Sequence, residues 1–403
     1  MIHAQGGRVR RYSVTSGSGS GKPATATTRK PRAASTSTTP TTPTKSALEA
    51  LFLKPIPTPG SAPAPGESNY KISEQDLVDF IRKHNKYMDA RDVSKVVHGA
   101  AKWKIRLDSD LMVVLIDVLQ KKEKKRLRIN DSFVAMCFQG LRCFKDDSEQ
   151  PAVIERYIAF LSEMMHEKSR VFIYRSKQDL IFSAQSVSSC LYALKGLTSN
   201  QTGIKDLLKV LENKISESKE ALNAQAIGNS LYGLQGMSSG EAEVREVIVA
   251  LSNKISESKQ VLSAQAIGNG LCGLQSMSSG DAEVRELLGA LSSKISDSKQ
   301  MLSQHAIGNA LYGLQGMNSG VAEVRKVLGA LSIKISESKD MLNTQNITNA
   351  LYGLKGMNSK DKEVSDVLVA LSSKTLDSKE MLIAQHSGNV KLRKWLEELW
   401  PAS

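Results

Sequence analysis

The chain has 403 residues, 40% of them hydrophobic and 5% aromatic, which suits one extended array or two to three compact domains. No apolar run approaches the ~18 residues of a membrane span; the nearest, Leu111–Leu119, is interrupted by Asp117. A net charge of +13 favours an anionic partner, and four scattered cysteines, Cys137, Cys143, Cys190 and Cys272, form neither a disulfide framework nor a metal-ligand spacing and read as small core residues of a reducing compartment.

Residues 1–48 carry eight Lys or Arg and no Asp or Glu, and nine of the eleven prolines lie before residue 66. Such a stretch cannot bury enough apolar surface to order itself, so residues 1–68 are expected to be a disordered basic leader and Pro-rich linker. An acid-free segment rich in Arg and Ser has the composition of an organellar transit peptide. Arg10-Arg11-Tyr12-Ser13 also resembles a mitochondrial processing pattern, which makes the mitochondrial matrix the expected location, with plastid or cytoplasm as alternatives. A basic tail without an address is the other reading. Gly17–Lys22 imitates a phosphate loop, but Ser16 and Pro23 stand where that loop needs Gly and Ser or Thr.

From Tyr70 the pattern turns helical. Asp89 is followed by Val93 and Val97 at helical spacing, with Ser94 and Gly99 as small residues between them, and Asn130 begins a second copy with Val134, Phe138 and Gly140. Asp108–Gln120 and Pro151–Glu163 supply the helices between, Pro151 suiting a first helical turn. Residues 69–182 are thus divergent repeats, with an insertion around Arg170–Asp179 expected to be a longer loop.

Over residues 183–390 the repeat is regular. Ser183, Asn223, Ser263, Ser303 and Asn343 begin equivalent copies 40 residues apart, and Ile383 begins a sixth that decays. The first column consists of residues whose side chains accept a hydrogen bond from a free backbone N–H, so each marks a helix start. Ile267, Leu271 and Leu274 form one helical stripe; after Met277–Gly280 a second follows, Val284, Leu287, Leu288, Leu291 and Ile295. Residues 391–403 are expected to cap the array. A fixed period of this length marks a solenoid, and the sequence predicts an all-α, right-handed α-solenoid of about eight two-helix repeats of ~40 residues, without a sheet.

Two glycine-rich columns interrupt the first helix of each unit. One reads Ser188, Gly228, Gly268, Gly308, Thr348, the other Ala193, Gly233, Gly273, Gly313, Gly353. Replacement by Ser, Thr and Ala shows that the columns need smallness and not positive φ. Close helix approach follows, with Gly273→Ala expected to be mild and Gly273→Leu severe.

The S-x-Q-x-I-x-N-x-L-Y-x-L-x-x-M core followed by an amphipathic helix resembles the octotricopeptide-like repeats of organellar RNA-binding proteins, which are also found before RAP domains. The resemblance covers Ser183–Asn389 well and Asp89–Leu141 weakly. This chain has Tyr192, Tyr232, Tyr312 and Tyr352 where the family usually has Trp, Cys272 in one copy, and no RAP domain after the array. The resemblance implies sequence-selective binding of single-stranded RNA in processing, stability or translation of a transcript.

The charge of the array itself is balanced, with 20 Lys+Arg against 20 Asp+Glu over Ala184–Ile383. Two lysine columns recur: Lys214, Lys254, Lys294, Lys334 and Lys374, and Lys219, Lys259, Lys299, Lys339 and Lys379. In a solenoid columns become stripes, which either follow a phosphate backbone or form a solvated face. The varying polar columns, Gln225, Gln265, His305 and Gln345 and then Lys195, Gln235, Gln275, Gln315 and Lys355, are the candidates for base readout. The uniform Asn229, Asn269, Asn309, Asn349 and Asn389 are expected to make a structural hydrogen bond between units, and the tyrosines to pack between repeats. Scattered histidines and the absence of any catalytic or nucleotide signature argue against an enzyme, a cofactor or a small-molecule substrate. The alternative to RNA is a scaffold that binds protein partners along a concave face.

Overall fold

The computed structural model describes residues 72–121, 127–144, 151–166, 172–174, 176–178 and 181–374. The expected leader and linker, Lys379, the copy beginning at Ile383 and the capping helix over 391–403 lie outside the described residues.

Fifteen α-helices run through the described residues: α1 Glu74–His84, α2 Ala90–Lys102, α3 Ser109–Gln120, α4 Asp131–Phe138, α5 Pro151–Met165, α6 Ala184–Ala193, α7 Ile204–Glu217, α8 Ala224–Gly233, α9 Ala242–Glu257, α10 Ala264–Cys272, α11 Ala282–Asp297, α12 Gln304–Tyr312, α13 Ala322–Glu337, α14 Thr344–Leu354 and α15 Lys362–Ser372. Each even helix packs on the even helices before and after it, and each odd helix on its odd neighbours. The result is an α-solenoid of two helical layers, whose core lies between them: Ile267, Leu271 and Leu274 from the even side and Val284, Leu287, Leu288, Leu291 and Ile295 from the odd side are all buried.

The starts of the even helices fall where the capping residues put them. Asp89, Asn130, Ser183, Asn223, Ser263, Ser303 and Asn343 each accept a hydrogen bond from the backbone N–H three residues on, at 2.8 to 3.3 Å. At Asp89 the bond is reciprocated, Asp92 accepting from the backbone N–H of Asp89.

The 53-residue interval between Asn130 and Ser183 differs from the expected loop in one respect. Leu127–Ile129 (β1) and Phe172–Tyr174 (β2) pair in parallel, so the chain is not free of sheet. Parallel strands need a long crossover, and α4 and α5 provide it. Ile129, Phe172, Ile173 and Tyr174 are β-branched or aromatic, which suits a pleated pair.

The glycine columns are places of close approach. A Cβ added at Gly233, Gly273, Gly313 or Gly353 would stand 1.9 to 2.0 Å from the backbone oxygen of Leu191, Leu231, Leu271 or Leu311 in the preceding even helix. Gly273 and Gly313 have φ of −64° and −66°, so space and not conformation selects glycine. The expectation that alanine is tolerated at Gly273 is therefore corrected: its methyl group meets backbone, which cannot rotate away. Ala193 occupies the column only where the preceding helix, α4, gives way to a 3-10 turn over Gln139–Cys143.

We predict that Gly273→Ala destabilises the chain by at least the ~1–3 kcal/mol of overpacking. Gly289→Ala within α11, whose added methyl meets nothing within 4 Å, should instead gain about 0.5–1 kcal/mol. Thermal unfolding of the two variants checks this, and equal effects would remove backbone contact as the reason for the column.

Candidate nucleic-acid interface

In each even helix the buried side is taken by Ile, Leu and small residues, which leaves one stripe open. Its members lie two, six, nine and twelve residues after the cap: Gln265, Asn269, Cys272 and Gln275 in one unit, and Gln225, Asn229, Tyr232 and Gln235 in the unit before. Spacings of three and four residues put them on one helical face, and stacking makes rows of them. Gln225, Gln265, His305 and Gln345 are exposed, and the asparagines half-buried.

The outermost row is knitted together from unit to unit. Lys195 Nζ donates to Tyr232 Oη at 2.8 Å, Gln275 Nε2 to Tyr312 Oη at 3.3 Å and Gln315 Nε2 to Tyr352 Oη at 3.4 Å. Tyrosine rings of successive units also meet, Tyr192 with Tyr232 at 6.2 Å between centroids and Tyr312 with Tyr352 at 5.7 Å. Cys272 replaces the ring in one unit, where Gln235 Nε2 donates both to Cys272 Sγ at 3.7 Å and to Gln275 Oε1 at 2.9 Å. The tyrosines thus pack between repeats.

The asparagine row is different. Asn229, Asn269 and Asn309 make no side-chain hydrogen bond among the described residues, and Asn349 accepts one from Gln345 in its own helix at 2.9 Å. The expected bond between units is made elsewhere, by serines. Ser258, Ser298 and Ser338 donate to the carbonyls of Leu222, Leu262 and Leu302 in the preceding unit, while Ser239, Ser279 and Ser319 accept from the backbone N–H of Ser278, Asn318 and Asn358. The sequence signal for them was present in the S-x-S-K segments beginning at Ser216, Ser256, Ser296 and Ser336 and in the serine two residues after Met237, Met277 and Met317.

The first lysine column is likewise turned inward. Lys254 and Lys374 donate to the carbonyls of Ser218 and Ser338 at 2.6 Å, and Lys294 to that of Ser258. Lys214 and Lys334 are buried and pair with Glu217 and Glu337. The second column, Lys219, Lys259, Lys299 and Lys339, is exposed on the connectors that lead into the even helices. Two residues before each stands an exposed acid, Glu217, Glu257, Asp297 or Glu337, so these connectors are electrically mixed.

The balanced charge of the array conceals an uneven distribution across its layers. From Ser183 to Lys360, no even helix and no turn following one contains an Asp or Glu, whereas Lys195, His305 and Lys355 are there. The acids belong to the odd layer and the connectors, where Lys205 pairs with Glu241, Lys209 with Glu243 and Arg245 with Glu283 across units. Counting charge helix by helix, and not over the whole array, finds this in the sequence.

The four cysteines are buried, Cys137, Cys143 and Cys190 in the core and Cys272 within the tyrosine row, and burial pushes the Cys143 thiol up to about 12, which leaves it protonated and inert. Among the described residues no helix is long and apolar enough to cross a membrane. Compared with known proteins, the sequence matches no family model and shows no significant match to a curated protein.

The inward lysines should behave as structural residues. Lys254→Met and Lys294→Met each remove a charged donor from a backbone carbonyl of the preceding unit, and each should cost about 1.5 kcal/mol, read as a lower midpoint in denaturant unfolding. An unchanged midpoint in both would return these side chains to the pool of surface cations.

Proposed function

We propose that this chain binds single-stranded RNA sequence-selectively along the open face of its even layer, as an organellar protein of RNA processing, stability or translation. The observation that carries the reading is the acid-free row of unpartnered amides. A polyanion laid along the middle of this face meets no carboxylate of the even helices α6 to α14 themselves, Glu220 and Asp340 lying at the N-terminal ends of α6 and α12. Asn and Gln offer a donor and an acceptor together, the complement of a base edge. One Gln or His and one Asn per unit repeat at the spacing of stacked helices, roughly 10 Å, which suits unstacked bases presented one after another. The acid-free leader supports an organellar address, with the mitochondrial matrix preferred over plastid or cytoplasm.

Phosphate contacts on this face fall to a small set of cations, Lys195 and Lys355 with Arg142 at its divergent end. The exposed Lys219, Lys259, Lys299 and Lys339 can add to them only where the strand reaches the connectors. Salt dependence should accordingly be shallow, about 0.7 in the log–log slope for each lysine or arginine engaged on a single strand.

A specific feature favours the second reading, a scaffold for protein partners. Val261, Met301 and Met341 are 51%, 50% and 39% exposed and form a recurring apolar row on the connectors.

The deciding measurement is RNA affinity of the triple variant Asn229→Ala, Asn269→Ala, Asn309→Ala. With the amides free in the structure, its melting temperature should hold, while affinity for a preferred oligoribonucleotide drops by at least tenfold, about 1.4 kcal/mol. If wild-type protein selects no RNA from a random pool, the scaffold reading replaces this one.

A further inference from the structure

The even face is regular from α8 onward, but between α2 and α6 three of its positions are filled differently. Ser132 stands in the column of Gln225 and Gln265, Ser189 in the column of the asparagines, and His98 in that of the tyrosines. A cleft of about 290 Å³ lies there, bordered by these three residues, Met136, Tyr192 and Asn229. That is the small end of the range for ligand sites, suited to one planar ring system.

Its walls are held in place. Gln139 is buried and donates from Nε2 to the Ser189 carbonyl at 2.9 Å, while its Oε1 accepts from Arg142 Nη1 at 2.9 Å. That bond fixes the guanidinium 4.7 Å over the Tyr192 ring. Around this frame the His98 imidazole, the Ser132 hydroxyl and the Asn229 amide make no hydrogen bond among the described residues. Partial burial, and then the charges of Lys102 and Arg142, lower the pKa of His98, so at neutral pH its ring offers one donor and one acceptor. Mixed donors and acceptors beside an aromatic wall, with Lys102 and Arg142 close enough to act on His98, match a base and its phosphate.

We propose that this cleft takes one unstacked nucleobase and anchors the end of a bound single strand. The inference rests on the RNA reading of the even face and shares Tyr192 and Asn229 with the first regular units, while His98, Ser132 and Met136 lie outside them. A free nucleotide offers the same ring and phosphate, and the test separates the two sources.

The full chain carrying Ser132→Gln and Ser189→Asn has the cleft filled with the array's own column residues. Short oligoribonucleotides and the four nucleoside monophosphates are the probes, with Asn269→Ala, Asn309→Ala as the comparison away from the cleft. We expect the filled variant to melt like wild type and to bind oligonucleotide about tenfold more weakly, the loss typical of one base contact. Crosslinks from a thiouridine-containing strand should map to Met136 or Tyr192 in wild type and vanish in the variant. If the double variant unfolds, Ser132→Gln alone, on the exposed side of α4, carries the same comparison. Unchanged affinity and an unchanged crosslink map, with weakened binding in the comparison variant, overturn the cleft and leave the RNA reading standing. No oligonucleotide binding, with monophosphate binding that the filled variant loses, keeps the cleft and overturns the strand. Binding of neither probe overturns both.

Discussion

At Gly233, Gly273, Gly313 and Gly353 one even helix runs so close to its predecessor that a methyl group would lie within 2.0 Å of a backbone oxygen. Helices that touch backbone to backbone have little freedom to slide or rotate, because no side chain lies between them to repack. The pitch of the layer is set there. With the pitch fixed, a glutamine in one unit reaches the tyrosine of the next, and successive tyrosine rings come within 5.7 to 6.2 Å. The rows on the open face are regular because the contact beneath them is regular.

Bonds between units are divided between chemically distinct groups. Serine hydroxyls and inward lysines satisfy the carbonyls and N–H groups that turns and connectors leave unpaired, and each does so in the preceding or following unit. These bonds lie near the ends of the helices. The middle of α8, α10 and α12 is then released from this duty, and the asparagine there stands half-open with an unused amide. In a solenoid whose units touch only their neighbours, every joint must be completed locally, and the recurrence of the same serines in each unit reflects that.

Much of this was legible in the sequence because it is local. Caps, core stripes and the need for small residues are read from single positions and their spacing, and Asp89, Asn130 and the five regular caps all act as such. The direction of a long side chain is not local. Lys254 and Lys259 look alike in a column, yet Lys254 folds back on Ser218 and Lys259 stays in solvent. The role of Asn269 was misjudged for a related reason: uniformity suggested a structural bond, but a uniform column is equally the product of near-identical units. The β1–β2 pair lies in the one interval without a repeat to compare against, and the cleft between α2 and α8 is lined by residues that no motif marks.

Cys272 gives the rod a mechanical character. On either side of it, Tyr192 with Tyr232 and Tyr312 with Tyr352 form ring pairs that resist changes in the angle between adjacent units. At Cys272 the ring is replaced by a small thiol, which accepts from the Gln235 amide that also pairs with Gln275. The unit of Cys272 keeps the backbone contacts of its neighbours, through Gly273 and Gly313, but lacks their paired rings. The two aromatic clasps of the row are thus separated by one unit held by main-chain contact and glutamine hydrogen bonds.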